Sequence, residues 1–270
     1  MSVLAAARNR EASGPARSSV TTVAVTGAAG APGVTSVALH LAHALARHQV
    51  RTMLVDADSD GGFLAHWMGR ASGSIPTLVN AAQYGPVGAA PVIAATEPLR
   101  DNLRLLAGFD QPQTTESLPP DLPGQILEAL DGTAQFAVVD CGRLRPGADG
   151  AWQRTWLDLA HGVLVVVTPD TVGAVRLGQI RPLLEAVRAP AWRHSVVNRF
   201  DRRTALAGFE DTLRRELEMP MTARIPRNDR AFDAAVSAHR ATTDRAISRL
   251  FDQLAGVVIS SGAGVAGEPS

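Results

Sequence analysis

The chain predicts a single α/β domain with a mostly parallel central sheet flanked by helices. Three observations carry that prediction. Short β-branched, apolar runs alternate with stretches of helical spacing along most of the sequence. Two early runs, 20–26 and Arg51–Asp56, are joined by one helix-like stretch within ~35 residues, the length of a βαβ unit with parallel, neighbouring strands. The chain has 270 residues, enough for one large core, and shows neither an internal repeat nor an interdomain linker.

The elements follow in order. Val20–Thr26 reads as a buried strand, and Thr35–His48 as a helix with Val37, Leu41, Ala44 and Leu45 at helical spacing. Between them lies Gly27-Ala28-Ala29-Gly30-Ala31-Pro32-Gly33-Val34-Thr35-Ser36, the strand–tight turn–helix layout of a phosphate-binding loop. Its small side chains let backbone N–H groups approach an anion, and Thr35 can offer a hydroxyl to Mg²⁺. Against the pattern G-x-x-x-x-G-K-[ST], Ala28 replaces the first glycine and Val34 the lysine. Arg51–Asp56 is a second strand ending in a carboxylate, and Asp58 and Asp60 follow just past it. In a parallel sheet that end lies beside the loop after the first strand. There the aspartates either flank a metal or an attacking water, or cap the helix starting near Phe63.

Gly69–Pro98 gives no clear assignment. Asn102–Gly108 reads as a strand, Gln111–Pro120 as a polar connection and Asp121–Leu130 as a helix. Phe136–Asp140 is a buried strand ending in a carboxylate, after which Cys141-Gly142-Arg143 turns away. Trp152–Ala160 is helical, Gly162–Thr168 is the clearest central strand, and Thr171–Arg188 is a long helical pattern interrupted by Pro182. His194–Arg199 and Thr222–Ile225 are further strands; Ala205–Leu217, Ala231–Ala238 and Thr243–Leu254 are helices. Residues 1–19 are expected to form a disordered tail, 20–255 the domain, and 256–270 a flexible tail.

Composition excludes several classes. Formal net charge is zero, so no global field argues for nucleic acid. All 26 lysine-plus-arginine residues are arginine, so no lysine is available to stand in at the loop. Cys141 is the one cysteine, which excludes an intrachain disulfide and a multi-cysteine zinc site and fits a cytoplasmic protein. His40 and His43 read as helix-face residues. No apolar run reaches ~18 residues, so no membrane span is expected, and residues 1–19 lack the apolar core of a signal peptide.

From Val20 to Leu254 the chain resembles the MinD/ParA family of deviant P-loop ATPases. Val25–Ser36 aligns without gaps to the family's phosphate loop, Thr52–Asp58 to its second acidic motif, and Phe136–Asp140 to its Walker B strand. Asn198-Arg199 resembles the Asn-Arg or Asn-Lys pair at the base, and Ile225-Pro226 with Arg230 and Ala231 the late strand and turn. The resemblance implies ATP and Mg²⁺ as ligands. It implies Gly30, Gly33, Val34, Thr35 and Ser36 at the phosphates, and Asn198 and Arg199 at adenine. Thr35, Asp56 and Asp140 become the metal candidates, and Asp58 the residue that orients water.

The family's two loop lysines correspond to Ala29 and Val34 here, and Pro32 contributes no N–H. Each lost charge-assisted contact costs about 1.5–3 kcal/mol, so weak or absent ATP binding and poor hydrolysis are expected. Arg143 and Arg199 are the arginines that could compensate.

Three functions compete. The first is a weakly binding or non-hydrolysing positioning or assembly factor, loosely similar to the TadZ/CpaE-like subgroup, with protein partners and a homodimer among its assemblies. The second is an active ATP-dependent dimeric switch that binds membrane or DNA and uses arginine for lysine. The stripe Ile247, Leu250, Phe251 and Leu254 would be its membrane helix, at the inner membrane face; core packing is the preferred reading of that stripe. Arg202-Arg203 and Arg214-Arg215 lie among acidic residues, which favours a solvated face over nucleic acid. The third is other chemistry on the same fold, against which Val34 and the lone Cys141 count.

Overall fold

The computed structural model describes residues 19–30, 32–71, 77–79, 88–109 and 118–266. Eight strands form one sheet. They are β1 (Thr21–Gly27), β2 (Thr52–Asp56), β3 (Thr96–Arg100), β4 (Leu103–Leu106), β5 (Phe136–Arg143), β6 (Gly162–Val167), β7 (Trp192–Phe200) and β8 (Met221–Pro226). Their order across the sheet is β3-β4-β2-β5-β1-β6-β7-β8. Only β3 runs antiparallel to its neighbour. The helices are α1 (Val34–Arg47), α2 (Leu64–Trp67), α3 (Ala89–Ala94), α4 (Leu122–Ala129), α5 (Ala151–Leu159), α6 (Thr171–Glu185), α7 (Phe209–Leu217), α8 (Asp229–Ser237) and α9 (Arg245–Ala266). This is the expected α/β domain.

Helices on both faces explain why the central strands are apolar throughout rather than alternating with polar residues. In β6, Val163, Val165 and Val167 join one core, and Leu164 and Val166 join the other. In β5, Ala137, Val139 and Cys141 face the first core, and Phe136 and Val138 the second. Residues of α4–α7 fill the first core, and residues of α1 and α9 fill the second.

Three local expectations need correction. Gly69–Pro98, left unassigned, contains α3 and most of β3. Pro98 sits in β3 because β3 is an edge strand, where a missing N–H leaves no inner ladder broken. β5 does not turn away at Cys141 but continues to Arg143, with Gly142 at φ 59°. The chain does not fray from Gly256: α9 runs on to Ala266, and Val258 is buried. Gly262 lets that last stretch lie close to the sheet, since a β-carbon there would fall 3.0 Å from both Phe136 Cζ and Thr21 Cγ2. Residues 1–18, most of Gln111–Pro120 and residues 267–270 lie outside the described residues.

Of the expected α9 stripe, Ile247, Phe251 and Leu254 pack inward and Leu250 is half-buried. Ile247, Phe251, Leu254, Ala255 and Val258 are all buried in the second core, at i, i+4, i+7, i+8 and i+11. Arg47 of α1 pairs with Asp252 of α9 at 2.7 Å. His40 of α1 stacks on Phe251 at 5.1 Å. Its Nε2 accepts from the Thr242 N–H at 2.9 Å, so Nδ1 carries the proton and donates to the Ser36 carbonyl at 2.7 Å. Burial lowers its pKa to about 4 and keeps it neutral. Among the described residues no helix is long and apolar enough to cross a membrane.

Candidate functional site

The site forms where β1, β2, β5, β7 and β8 end. In a parallel sheet the exits of neighbouring strands share one edge, so residues far apart in sequence meet there. Asp56 and Asp140 are cross-strand partners in the β2–β5 pair, and Asp140 is also aligned with Val25 of β1. Both carboxylates therefore lie at the base of the loop that leaves β1.

That loop needs its glycines. Gly30 has φ 99° and Gly33 φ 91°, the left-handed region that favours glycine. At Gly27 a β-carbon would fall 2.8 Å from the Val166 carbonyl and 2.7 Å from Pro32 Cγ. Gly33 is the N-cap of α1, and no acidic residue occupies the helix's first turn. The positive end of the helix dipole is thus left free for an anion.

Val34 occupies the lysine position. It is 6% exposed and belongs to the second core. Its side chain brings no charge to the loop, so its part in holding an anion is confined to its backbone. Thr35 and Ser36 line the cavity above it.

The three strand-end carboxylates differ in environment. Asp56 is buried; its Oδ2 accepts from the Leu64 N–H at 3.1 Å and its Oδ1 from the Asp58 N–H at 3.4 Å. Burial raises its pKa well above the usual carboxylate range, and Asp140 and Asp58 add to the rise. Asp140 is fully buried; its Oδ1 accepts from the Gly142 N–H at 3.0 Å, and its Oδ2 has no hydrogen-bond partner. Burial lifts it to about 7; Asp58 adds to the rise, while the Thr35 hydroxyl and the Gly142 amide oppose it. Asp58 is half-buried and is also raised by burial, with Arg145 and Arg143 opposing. Gly142 sits beside it at φ 59°, the left-handed region that favours glycine, and a β-carbon there would push the Asp58 carboxyl aside.

An unpartnered carboxylate oxygen near a threonine hydroxyl fits a hard divalent cation such as Mg²⁺, which prefers one or two carboxylates with water and phosphate completing the shell. Asp140 and Thr35 meet that description. Asp56 is a poorer metal ligand, since both its oxygens already accept backbone N–H groups. Among the described residues, no cluster of three His, Cys, Asp or Glu side chains is arranged to hold a metal.

A cavity of about 810 Å³ covers this edge. It collects Gly30, Gly33, Val34, Thr35, Ser36, Asp58, Asn198 and Arg199, and leaves Asp56 and Asp140 beneath its floor. Asn198 is buried, and its Nδ2 donates to the Pro32 carbonyl at 2.7 Å, so one of its donors is already engaged in holding the loop. Arg199 is exposed at φ 55°. Arg143 also lines the cavity and pairs with Asp60 at 2.8 Å; Arg145 pairs with the other oxygen of Asp60.

The cavity has further residues that the sequence does not assign to the site: Phe63 and Trp67, which lie within a stretch that resembles the family, and Phe232, Asp229 and Asp233. Phe232 and Asp233 follow Asp229 by three and four residues on α8, a spacing that puts them on one helix face. Arg176 of α6, whose Nη1 donates to the Ala29 carbonyl in the loop, is likewise unassigned by the sequence. No local signal marks either, because the contacts join segments more than a hundred residues apart.

The family model for the CobQ/CobB/MinD/ParA nucleotide binding domain matches residues 23–240. The chain belongs to this family. No curated protein matches it. Among solved structures, Pyrococcus furiosus cell division ATPase MinD is 17% identical, with 88% of this chain and 98% of that chain covered and a TM-score of 0.70. A ParA family ATPase from Chlorobium tepidum is 18% identical, covering 87% and 97%, with a TM-score of 0.71. The Cyanothece McdA(D38A)–ATP complex is 15% identical, covering 90% and 96%, with a TM-score of 0.70. At these identities the likeness shows the MinD/ParA fold alone.

Proposed function

We propose that this MinD/ParA-family protein is a positioning or assembly factor that binds adenine nucleotide weakly and hydrolyses it poorly. It acts through protein partners, a second copy of itself among them. One observation carries the reading: the lysine position holds a buried valine, in a chain without any lysine. Two buried carboxylates lie below the loop, and burial raises the pKa of both, so neither supplies a positive group in place of the lysine. A triphosphate therefore meets helix and loop amides but no loop ammonium group.

In this reading Thr35 and Asp140 hold Mg²⁺, which when bound neutralises phosphate charge. Gly30, Gly33, Val34, Thr35 and Ser36 offer backbone or hydroxyl groups to the phosphates. Asp58 borders the place of an attacking water, and Asn198 and Arg199 border the base. The relatives support the cellular role: one is named a cell division ATPase, and an Aquifex aeolicus structure is a MinC:MinD complex. Burial of the α9 stripe supports core packing over lipid binding.

A second reading keeps ATP turnover and uses arginine for lysine. Arg143 favours it by lining the cavity beside the loop. Calorimetry of Mg²⁺-ATP with an Asp140→Ala control, followed by a phosphate-release assay, separates the two. Dissociation constants near millimolar without turnover support the proposal. Micromolar binding with steady phosphate release and ATP-driven dimers would establish the arginine switch instead.

A further inference from the structure

We infer that Arg176 is a positioning residue: by gripping the Ala29 carbonyl from α6, it turns the Gly30 N–H into the cavity as an anion donor. The inference rests on the loop being a phosphate site and explains how it works without lysine.

The geometry is that of a planar trans peptide, in which the C=O of one residue and the N–H of the next point in opposite directions. The Ala29 carbonyl accepts from Arg176 Nη1. The guanidinium also covers the outer side of Gly30, where a β-carbon would collide with it. Among the described residues lining the cavity, Gly30 is present and Arg176 is not. The carbonyl therefore faces α6, and the Gly30 N–H faces the other way, into the cavity. Gly30 reaches this orientation at φ 99°. Asn198 Nδ2 also holds the Pro32 carbonyl, but Asn198 lines the cavity itself, so this contact fixes the loop without turning a second amide toward the cavity.

Arg176 thus holds one loop carbonyl and orients one amide, a donor that serves an anion without a cationic side chain. Pro32 contributes no N–H, so the loop depends more on the amides that remain. Arg176 acts through Gly30 and touches no ligand.

The test uses the full chain with inorganic pyrophosphate and Mg²⁺-ADP, read by calorimetry and by the ¹⁵N–¹H resonance of Gly30. Arg176→Leu is expected to weaken pyrophosphate binding about tenfold, a hydrogen bond's worth. The loss should be equal at low and high salt, with the melting temperature unchanged. The Gly30 resonance should move on adding pyrophosphate in the wild type and stay still in Arg176→Leu. Arg176→Lys, which keeps an N–H donor, should recover part of the affinity. Wild-type affinity in Arg176→Leu overturns the inference. So does a loss that disappears at high salt, which would make Arg176 a long-range charge, or a silent Gly30 resonance in a wild type that binds. A wild type that binds neither ligand overturns the phosphate-site reading itself.

Discussion

Asp140 lies in β5 with one oxygen unpartnered and no lysine in the chain to neutralise it. Its folded-state pKa, about 7, lies above the ordinary carboxylate value of 3.8, and burial is the main cause. A group raised on folding stabilises the fold fully below its unfolded pKa and loses that contribution as pH rises through the folded one. Without ligand, the protein should therefore lose stability between about pH 4 and pH 7 on account of Asp140. Asp140→Asn removes the proton equilibrium. Its unfolding free energy in urea should match the wild type near pH 4 and exceed it by roughly 2–4 kcal/mol above pH 7. Equal pH slopes in the two proteins would remove Asp140 as the cause. His43 works in the opposite direction: burial lowers its pKa to about 3, so its contribution is lost as pH falls below 6.5. Together with His40, lowered to about 4, it opposes the Asp140 trend between about pH 4 and pH 6.5, so only the difference between wild type and Asp140→Asn, which keeps both histidines, isolates the carboxyl.

At the scale of elements, α9 decides between packing and membrane binding. Phe251 lies against His40, and its neighbours Ile247, Leu254 and Val258 are buried in the same core. Deleting a buried phenyl ring costs about 3–5 kcal/mol. Phe251→Ala should therefore lower the urea midpoint strongly with no lipid present. A variant of wild-type stability that had lost vesicle binding would move α9 to the membrane. The strands were legible because two covered faces demand continuous apolar runs, and β6 has six such positions without interruption. The end of α9 was not legible. Residues 256–270 are small and low in complexity and read as a flexible tail, yet Gly262 serves a close approach to Phe136 that only the folded sheet creates. β3 was hidden by Pro98, which an edge strand tolerates. In the site, Thr35 and Asp140 were legible because a loop and a strand end are local patterns. Arg176 and Phe232 were not, because α6 and α8 bring them in from far along the chain.

For the whole molecule, ligand affinity and global stability are one linked quantity. A ligand that binds only the folded state adds RT ln(1 + [L]/Kd). With a Kd of about 1 mM, Mg²⁺-ATP at about 5 mM adds ~1 kcal/mol, a shift of roughly 2–4 °C in a chain of this size. Val34→Lys restores the missing ammonium group at the helix start. Its four-carbon stem can replace valine's contact beside Gly27 while the charge reaches into the cavity, as lysine stems commonly do. A gain of one charge-assisted contact, about 1.5–3 kcal/mol, should bring the Kd down by one to two decades. The ATP-dependent shift should then grow by ~1–2.5 kcal/mol, the equivalent of several further degrees. The melting curves with and without Mg²⁺-ATP measure this directly, and Val34→Lys without ATP serves as the reference for any cost of replacing a buried valine. A growing shift would mean that the amides, Thr35, Asp140 and the base end still form a working pocket. No growth, in a variant that still folds, would mean that the carboxylates beneath the loop and the engaged Asn198 have closed it to nucleotide.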